Sequence, residues 1–137
     1  MMANYWIVKT EPSTYGWRDL EREGTTRWDG VRNNLALKHI RAMRTGDSVF
    51  IYHSGKEKAV VGEARVVSDP YPDPEAGDEK LVVVDVEVGE ALRTPVPLAT
   101  IKQDGAFEDL ALVRMPRLSV MPATATQWKR LRKLGAG

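Results

Sequence analysis

Val82-Val83-Val84-Asp85-Val86-Glu87-Val88 decides the architecture. In an extended chain Val82, Val84, Val86 and Val88 share one face, with Val83, Asp85 and Glu87 on the other, so one face is wholly apolar. A β-branched run of that period predicts a long strand with a buried face. Outward toward the N-terminus, Ser48 to Ser54 and Ala59 to Val67 flank Gly55-Lys56-Glu57-Lys58, an antiparallel pair joined by a hairpin turn. Gly62 inside the second of these predicts a bulge or a sharp bend. Bends of that kind curl a sheet, and the expectation is an α+β chain: a small, strongly curved, barrel-like sheet with short helices packed around it.

The remaining elements follow from local signals. Tyr5 to Thr10 reads as a strand ending at Glu11-Pro12, and alternation brings Lys9 and Glu11 out together at its end while Thr10 points the other way. Ser13 or Thr14 opens a short helix through Arg22 that Gly24 terminates, burying Trp17 and Leu20. Thr25-Thr26-Arg27-Trp28-Asp29-Gly30-Val31-Arg32-Asn33-Asn34 reads as a turn before a helix over Leu35 to Met43, capped by Asn33 or Asn34. Trp28, at that helix entrance, is either a hydrophobic plug or one wall of a stacking pocket for a planar ligand. Three prolines between Asp69 and Glu75 make a stiff acidic loop, in which Tyr71 is an anchor or a lid. Arg117 to Val120 reads as the last strand, before Pro122. Thr124 and Gln127 form a capping box for a final helix to Gly135, with Trp128, Leu131 and Leu134 as its apolar seam.

A chain of 137 residues, 42% hydrophobic and 28% charged, fits one soluble domain spanning 1–137. No apolar run is long enough for a membrane helix, there is no signal-peptide pattern, and there is no cysteine. Those features favour a cytoplasmic location. With two histidines, no glycine-rich phosphate loop and no serine-nucleophile motif, no metal, cofactor or catalytic set is expected. The net charge of +1 hides segregation. Asp69 to Glu90 carries eight acidic residues and one lysine, leaving nineteen Lys/Arg against eleven Asp/Glu elsewhere, a surplus of eight. That surplus forms either a basic face or ordinary solvated surface.

Several segments together resemble the EVE domain family: Tyr5-Trp6-Ile7-Val8-Lys9-Thr10-Glu11-Pro12, Trp28-Asp29-Gly30-Val31-Arg32-Asn33, Thr45-Gly46-Asp47, Phe50-Ile51-Tyr52-His53-Ser54, Tyr71-Pro72-Asp73-Pro74 and Arg117-Leu118-Ser119-Val120. They run in order over nearly the whole chain. Two departures stand out: Thr10 where serine is usual, and a shortened loop between Pro74 and Lys80, which weakens any lid on that side. The resemblance implies a PUA-like β-barrel related to the YTH readers of methylated RNA. It also implies binding of modified bases, chiefly modified cytosine in DNA, with RNA as the other candidate.

On that resemblance Trp28 looks like a cage wall, and the implied base pocket comprises Lys9, Glu11, Trp28, Asp29, Asn33, Tyr52, His53 and Ser54. Glu11 would accept a hydrogen bond from the N4 amine of cytosine and repel the O4 of thymine. Arg27, Arg32, Lys38 and Arg117 would contact the nucleic-acid backbone. Two other classes compete with this non-enzymatic reader. One is a small PUA-like hydrolase using Lys9, Thr10 and Glu11, against which the opposite facing of Thr10 argues. The other is a protein-interaction module with an exposed sheet edge.

Overall fold

The valine run becomes the spine of the sheet. In the computed structural model, which describes residues 4–137, the strands are β1 (Tyr5–Thr10), β2 (Thr25–Trp28), β3 (Ser48–His53), β4 (Ala59–Val66), β5 (Tyr71–Pro72), β6 (Val82–Pro97) and β7 (Val120–Ala123). The helices are α1 (Trp17–Glu23), α2 (Asn34–Ala42), α3 (Leu98–Gln103), α4 (Ala111–Arg114) and α5 (Ala125–Gly135), with a 3-10 turn at Gly105–Phe107. The strands order as β2-β6-β4-β3-β1-β7, and β5 adds to β6. β1 runs parallel to β3 and antiparallel to β7, and every other pairing is antiparallel. The α+β class is as expected. Hydrogen bonding does not close the sheet: among the described residues β2 and β7 are the two ends of the path.

Gly62 bends it. Ile51 faces Gly62 whereas Tyr52 faces Val60, so Val61 is an extra residue on β4, and the register against β6 slips on both sides of Gly62. A Cβ at Gly62 would stand 2.5 Å from the Trp17 ring. The missing side chain therefore seats α1 on the sheet. Gly62→Ala should cost about 1 to 3 kcal/mol through overpacking, read as a lower denaturant midpoint. An unchanged midpoint would show that α1 can retreat freely.

Local chemistry sets most element ends. Gly16, rather than Ser13 or Thr14, precedes α1; its N–H donates to Asp19 Oδ2 at 2.7 Å, and Gly24 ends the helix with φ of 77°. Asn33 caps α2, its side-chain oxygen accepting from the Ala36 N–H at 3.0 Å. The Thr124–Gln127 box starts α5 as expected, and Trp128 stacks on Phe50 with centroids 3.8 Å apart. In the turn before β3, the buried Asp47 carboxylate accepts from the Trp6 indole N–H and the Arg44 N–H, each at 2.9 Å, and from the Asn4 N–H at 3.2 Å.

Two further expectations are corrected. Residues 25–28 are not a turn: they pair with β6 from Thr25 opposite Glu87 to Trp28 opposite Val84, so Trp28 closes an edge strand. The last strand is Val120–Ala123, not Arg117 to Val120, and contains Pro122. An edge strand bonded only to β1 tolerates a proline because its outer side needs no N–H. Among the described residues no helix is long and apolar enough to cross a membrane.

Candidate functional site

A cavity of about 430 Å³ opens at the end of β1, where β2, the loop before α1 and the Asp29-Gly30-Val31 turn meet. Trp28 forms one wall, placed there by the end of β2, and it is 7% exposed because its other surfaces belong to the core. Tyr15 meets the Trp28 ring edge-on, with centroids 6.3 Å apart at 90°. The Tyr15 hydroxyl donates to Glu23 Oε1 at 2.5 Å. Burial first, then that bond, pushes its pKa to about 12, so it stays protonated at neutral pH. Thr10 Oγ1 donates to the Tyr15 carbonyl at 2.6 Å and holds the loop against β1.

Charge enters from two sides. Lys9 Nζ donates to the Pro116 carbonyl at 2.8 Å and lies 5.7 Å from the centroid of the Tyr52 ring. Its partial burial lowers the lysine pKa, and an ammonium has three donors, so two remain for a ligand. Asp29 is an exposed carboxylate on the opposite turn, where Gly30 takes φ of 78°. Arg27 also borders the cavity, and its Nη1 lies 2.9 Å from Glu75 and 3.5 Å from Asp73. Its Nε is buried without a hydrogen-bond partner.

The residues expected at a base pocket do not all meet here. Lys9, Trp28 and Asp29 line the cavity; Glu11, Asn33, Tyr52, His53 and Ser54 do not. Glu11 folds back, its Oε1 accepting from Ser13 N–H and Oγ at 3.0 Å. Those bonds hold its pKa below the ordinary value. The chain leaves the strand at Thr10, so alternation does not carry to Glu11, and Lys9 and Thr10 both line the cavity despite their expected opposite facing. Tyr52 is buried opposite Lys9 in the β1–β3 register. His53 Nε2 accepts from the Trp17 N–H at 3.0 Å, so a neutral ring carries its proton on Nδ1, 2.7 Å from Glu57 Oε1. The Ser54 N–H donates to the Thr10 carbonyl at 2.9 Å, and the Asn33 side-chain oxygen serves the α2 cap while the residue borders a different groove.

Nor do the four cations make one rim. Arg27 borders the cavity, Arg32 a small separate cleft with Asp73 and Leu81, and Arg117 a groove that Pro116 also lines, while Lys38 is exposed on α2. The proline-rich loop is tied to the sheet. Tyr71 pairs with Val83 in β6, and its hydroxyl donates to Asp85 at 2.6 Å, so Tyr71 is an anchor. Tyr15, Val31 and Ser119, all at the cavity, had not been singled out as site residues. Val31 and Ser119 stand inside the quoted motifs Trp28-Asp29-Gly30-Val31-Arg32-Asn33 and Arg117-Leu118-Ser119-Val120, whereas Tyr15 stands in none.

Residues 4–134 match the EVE domain. A protein of Rhodopseudomonas palustris solved by NMR superposes with a TM-score of 0.92 at 43% identity, over 97% of this chain and 93% of that one. Human thymocyte nuclear protein 1 is 29% identical over 93% of this chain and 72% of its own length. The crystal structure of human THYN1 protein in complex with 5-methylcytosine containing DNA superposes at 0.89 with 28% identity, over 98% and 99% of the two chains. With the matched segment covering all seven strands and all but the last residue of the last helix, the chain belongs to the EVE domain family.

Proposed function

We propose that the protein is a non-enzymatic reader that takes an unstacked, modified cytosine of DNA into the cavity at the end of β1. We also read the open, bent sheet as a PUA-like barrel within a single domain. The observation that carries the function is an aromatic wall with an ammonium and a carboxylate bordering the same cavity, in a chain similar to a human protein crystallised with 5-methylcytosine DNA. The volume falls in the range of roughly 300 to 1,000 Å³ typical of small-ligand sites.

The chemistry of cytosine matches those groups. Its N4 amine donates, which suits the Asp29 carboxylate in the role first assigned to Glu11. Its O2 and N3 accept, which suits the free N–H groups of Lys9. A methyl group at C5 adds apolar surface, which suits Trp28 and Val31. Unpairing a base costs a few kcal/mol, and each stacked base returns about 1 to 3.

Duplexes with one central cytosine or 5-methylcytosine, titrated by anisotropy, test the reading. The methylated duplex should bind more tightly, and an RNA of the same sequence more weakly. Equal binding of both duplexes sinks the proposal. Lys9→Met keeps the stem but removes the charge, and should weaken methylated-duplex binding by roughly 10- to 100-fold, the scale of a hydrogen bond to a charged group. Because the Lys9 pKa is lowered, the ammonium is lost at a pH below the ordinary lysine range. Affinity should therefore fall as pH rises through that lowered pKa, and Lys9→Met should abolish this limb.

A hydrolase using Lys9, Thr10 and Glu11 remains the rival, since Lys9 and Thr10 share the cavity. Against it, Thr10 Oγ1 gives its proton to the Tyr15 carbonyl and Glu11 is bonded to Ser13 outside the cavity. Chromatography of the DNA nucleosides after incubation decides: unchanged 5-methylcytosine supports the reader, a new product the enzyme.

A further inference from the structure

Beside the base cavity lies a second depression, of about 650 Å³, lined by Asn33, Leu35, Arg114, Met115, Arg117 and Leu118, among others. The same two stretches of chain supply walls to both cavities: one from Asp29 to Leu35, the other from Arg114 to Ser119. The second stretch is fixed to the base site, because the Lys9 ammonium binds the Pro116 carbonyl and the Lys9 N–H donates to the Ser119 carbonyl at 2.9 Å.

This stretch carries an unusual set of side chains. Met115 is 44% exposed and is the one large hydrophobic side chain left in solvent among the described residues. Arg114 donates through Nε to the Glu108 carbonyl at 2.7 Å. Among the described residues neither Arg114 nor Arg117 has a carboxylate within salt-bridge distance, a state they share with Arg18, Arg32, Arg41, Arg44 and Arg93; what sets these two apart is the exposed Met115 between them in the sequence. Two uncompensated guanidiniums flanking a bare thioether fit an anionic partner with a hydrophobic gap, rather than a protein core.

We propose that Arg114, Met115 and Arg117 form the surface that holds the DNA strand next to the bound base, with Met115 filling the gap that base leaves in the stack. This rests on the base-reader proposal and adds a duplex-facing surface to it. Apolar side chains entering a base step and arginines on the flanking phosphates are physically compatible roles, since each offsets part of the cost of unstacking. Met is suited to the gap because its unbranched thioether adapts to irregular spaces. The division of labour is definite: the cavity sets which base is accepted, and the Met115 turn sets how well a duplex yields it.

The test uses the full chain with the methylated duplex and the corresponding single strand. Met115→Ala should weaken duplex binding about tenfold, while single-strand binding changes little because there is no stack to fill. Arg114→Gln with Arg117→Gln should flatten the log–log salt dependence on the duplex by roughly 0.9 per lost phosphate contact. Both variants should keep the parent's preference for 5-methylcytosine over cytosine. All three side chains are exposed at the surface or border the groove, so circular dichroism should show a parent-like fold.

Parent-like duplex affinity and salt slope in these variants, with Lys9→Met still weakening methylated-duplex binding, would overturn this inference alone. No preference in the parent, and none of these variants altering binding, would overturn the reader and this inference together. A concentration-dependent dimer that Met115→Ala dissolves, with DNA binding unaffected, would assign the groove to a second copy and also overturn it.

Discussion

Trp28→Ala should weaken the binding of methylated DNA by roughly 5- to 150-fold and also destabilise the fold by about 3 kcal/mol. The indole is 7% exposed, and truncating a ring packed to that degree loses its transfer energy and leaves a void. Its remaining surface bounds the cavity, where loss of a stacking partner costs a further 1 to 3 kcal/mol of binding, approximately. One ring is thus both plug and wall. Trp28→Phe separates the two, since a phenyl refills much of the space and stacks on a smaller area, so stability should recover more than affinity. Urea melts of both variants give the first quantity, and titrations below their melting transitions the second. A parent-like midpoint for Trp28→Ala would remove the ring from the core, and parent-like binding would remove it from the site.

Asp47→Ala should be at least as damaging to the fold, by about 3 kcal/mol, without touching the cavity. The carboxylate is 4% exposed and serves the Trp6 indole, the Arg44 amide and the Asn4 amide. Deleting it leaves the buried Trp6 indole N–H unmet, at about 1 to 3 kcal/mol, and takes a partner from the partly buried Arg44 and Asn4 N–H groups, which water recovers in part. Asp47→Asn keeps an acceptor oxygen and should cost less. Denaturant midpoints order the three proteins, and the proposed network fails if alanine and asparagine prove equal. The surviving folded fraction should still discriminate methylated from plain duplex.

Where the physics is local, the sequence was legible. Val82 to Val88 alternates and is a strand, Asn33 caps α2, Thr124 and Gln127 cap α5, and Gly62 marks a bulge. Each rests on a period or on a side chain reaching its own neighbours. Thr25 to Trp28 was misread because a four-residue edge strand has too little alternation to register, and its partner Val84 to Glu87 is distant in sequence. The site was less legible still. Glu11 departs from the strand's alternation because β1 ends at Thr10 and Glu11 opens a turn, its carbonyl accepting from the Thr14 and Tyr15 N–H groups, and His53 looked like a ligand group although it is held by the Trp17 amide and Glu57. The first is a local turn closed on Ser13, the second a long-range contact with Trp17. The family resemblance implied Lys9, Trp28 and Asp29 as pocket residues, but it did not bring Tyr15 and Ser119 to them.

β1 takes its neighbours from opposite regions of the chain: β3 on one side, β7 on the other. The lysine of the cavity accordingly rests on a carbonyl 107 residues further along. Synthesis proceeds from the N-terminus, so β1 emerges early and waits with an open flank until Val120 to Ala123 have been made. Pairings so distant are slow to form. A nascent or truncated chain ending before Pro116 would lack the support of Lys9 and one wall of the cavity. On the proposed reading, base binding should therefore arrive only after the segment from Pro116 to Ala123 has been made.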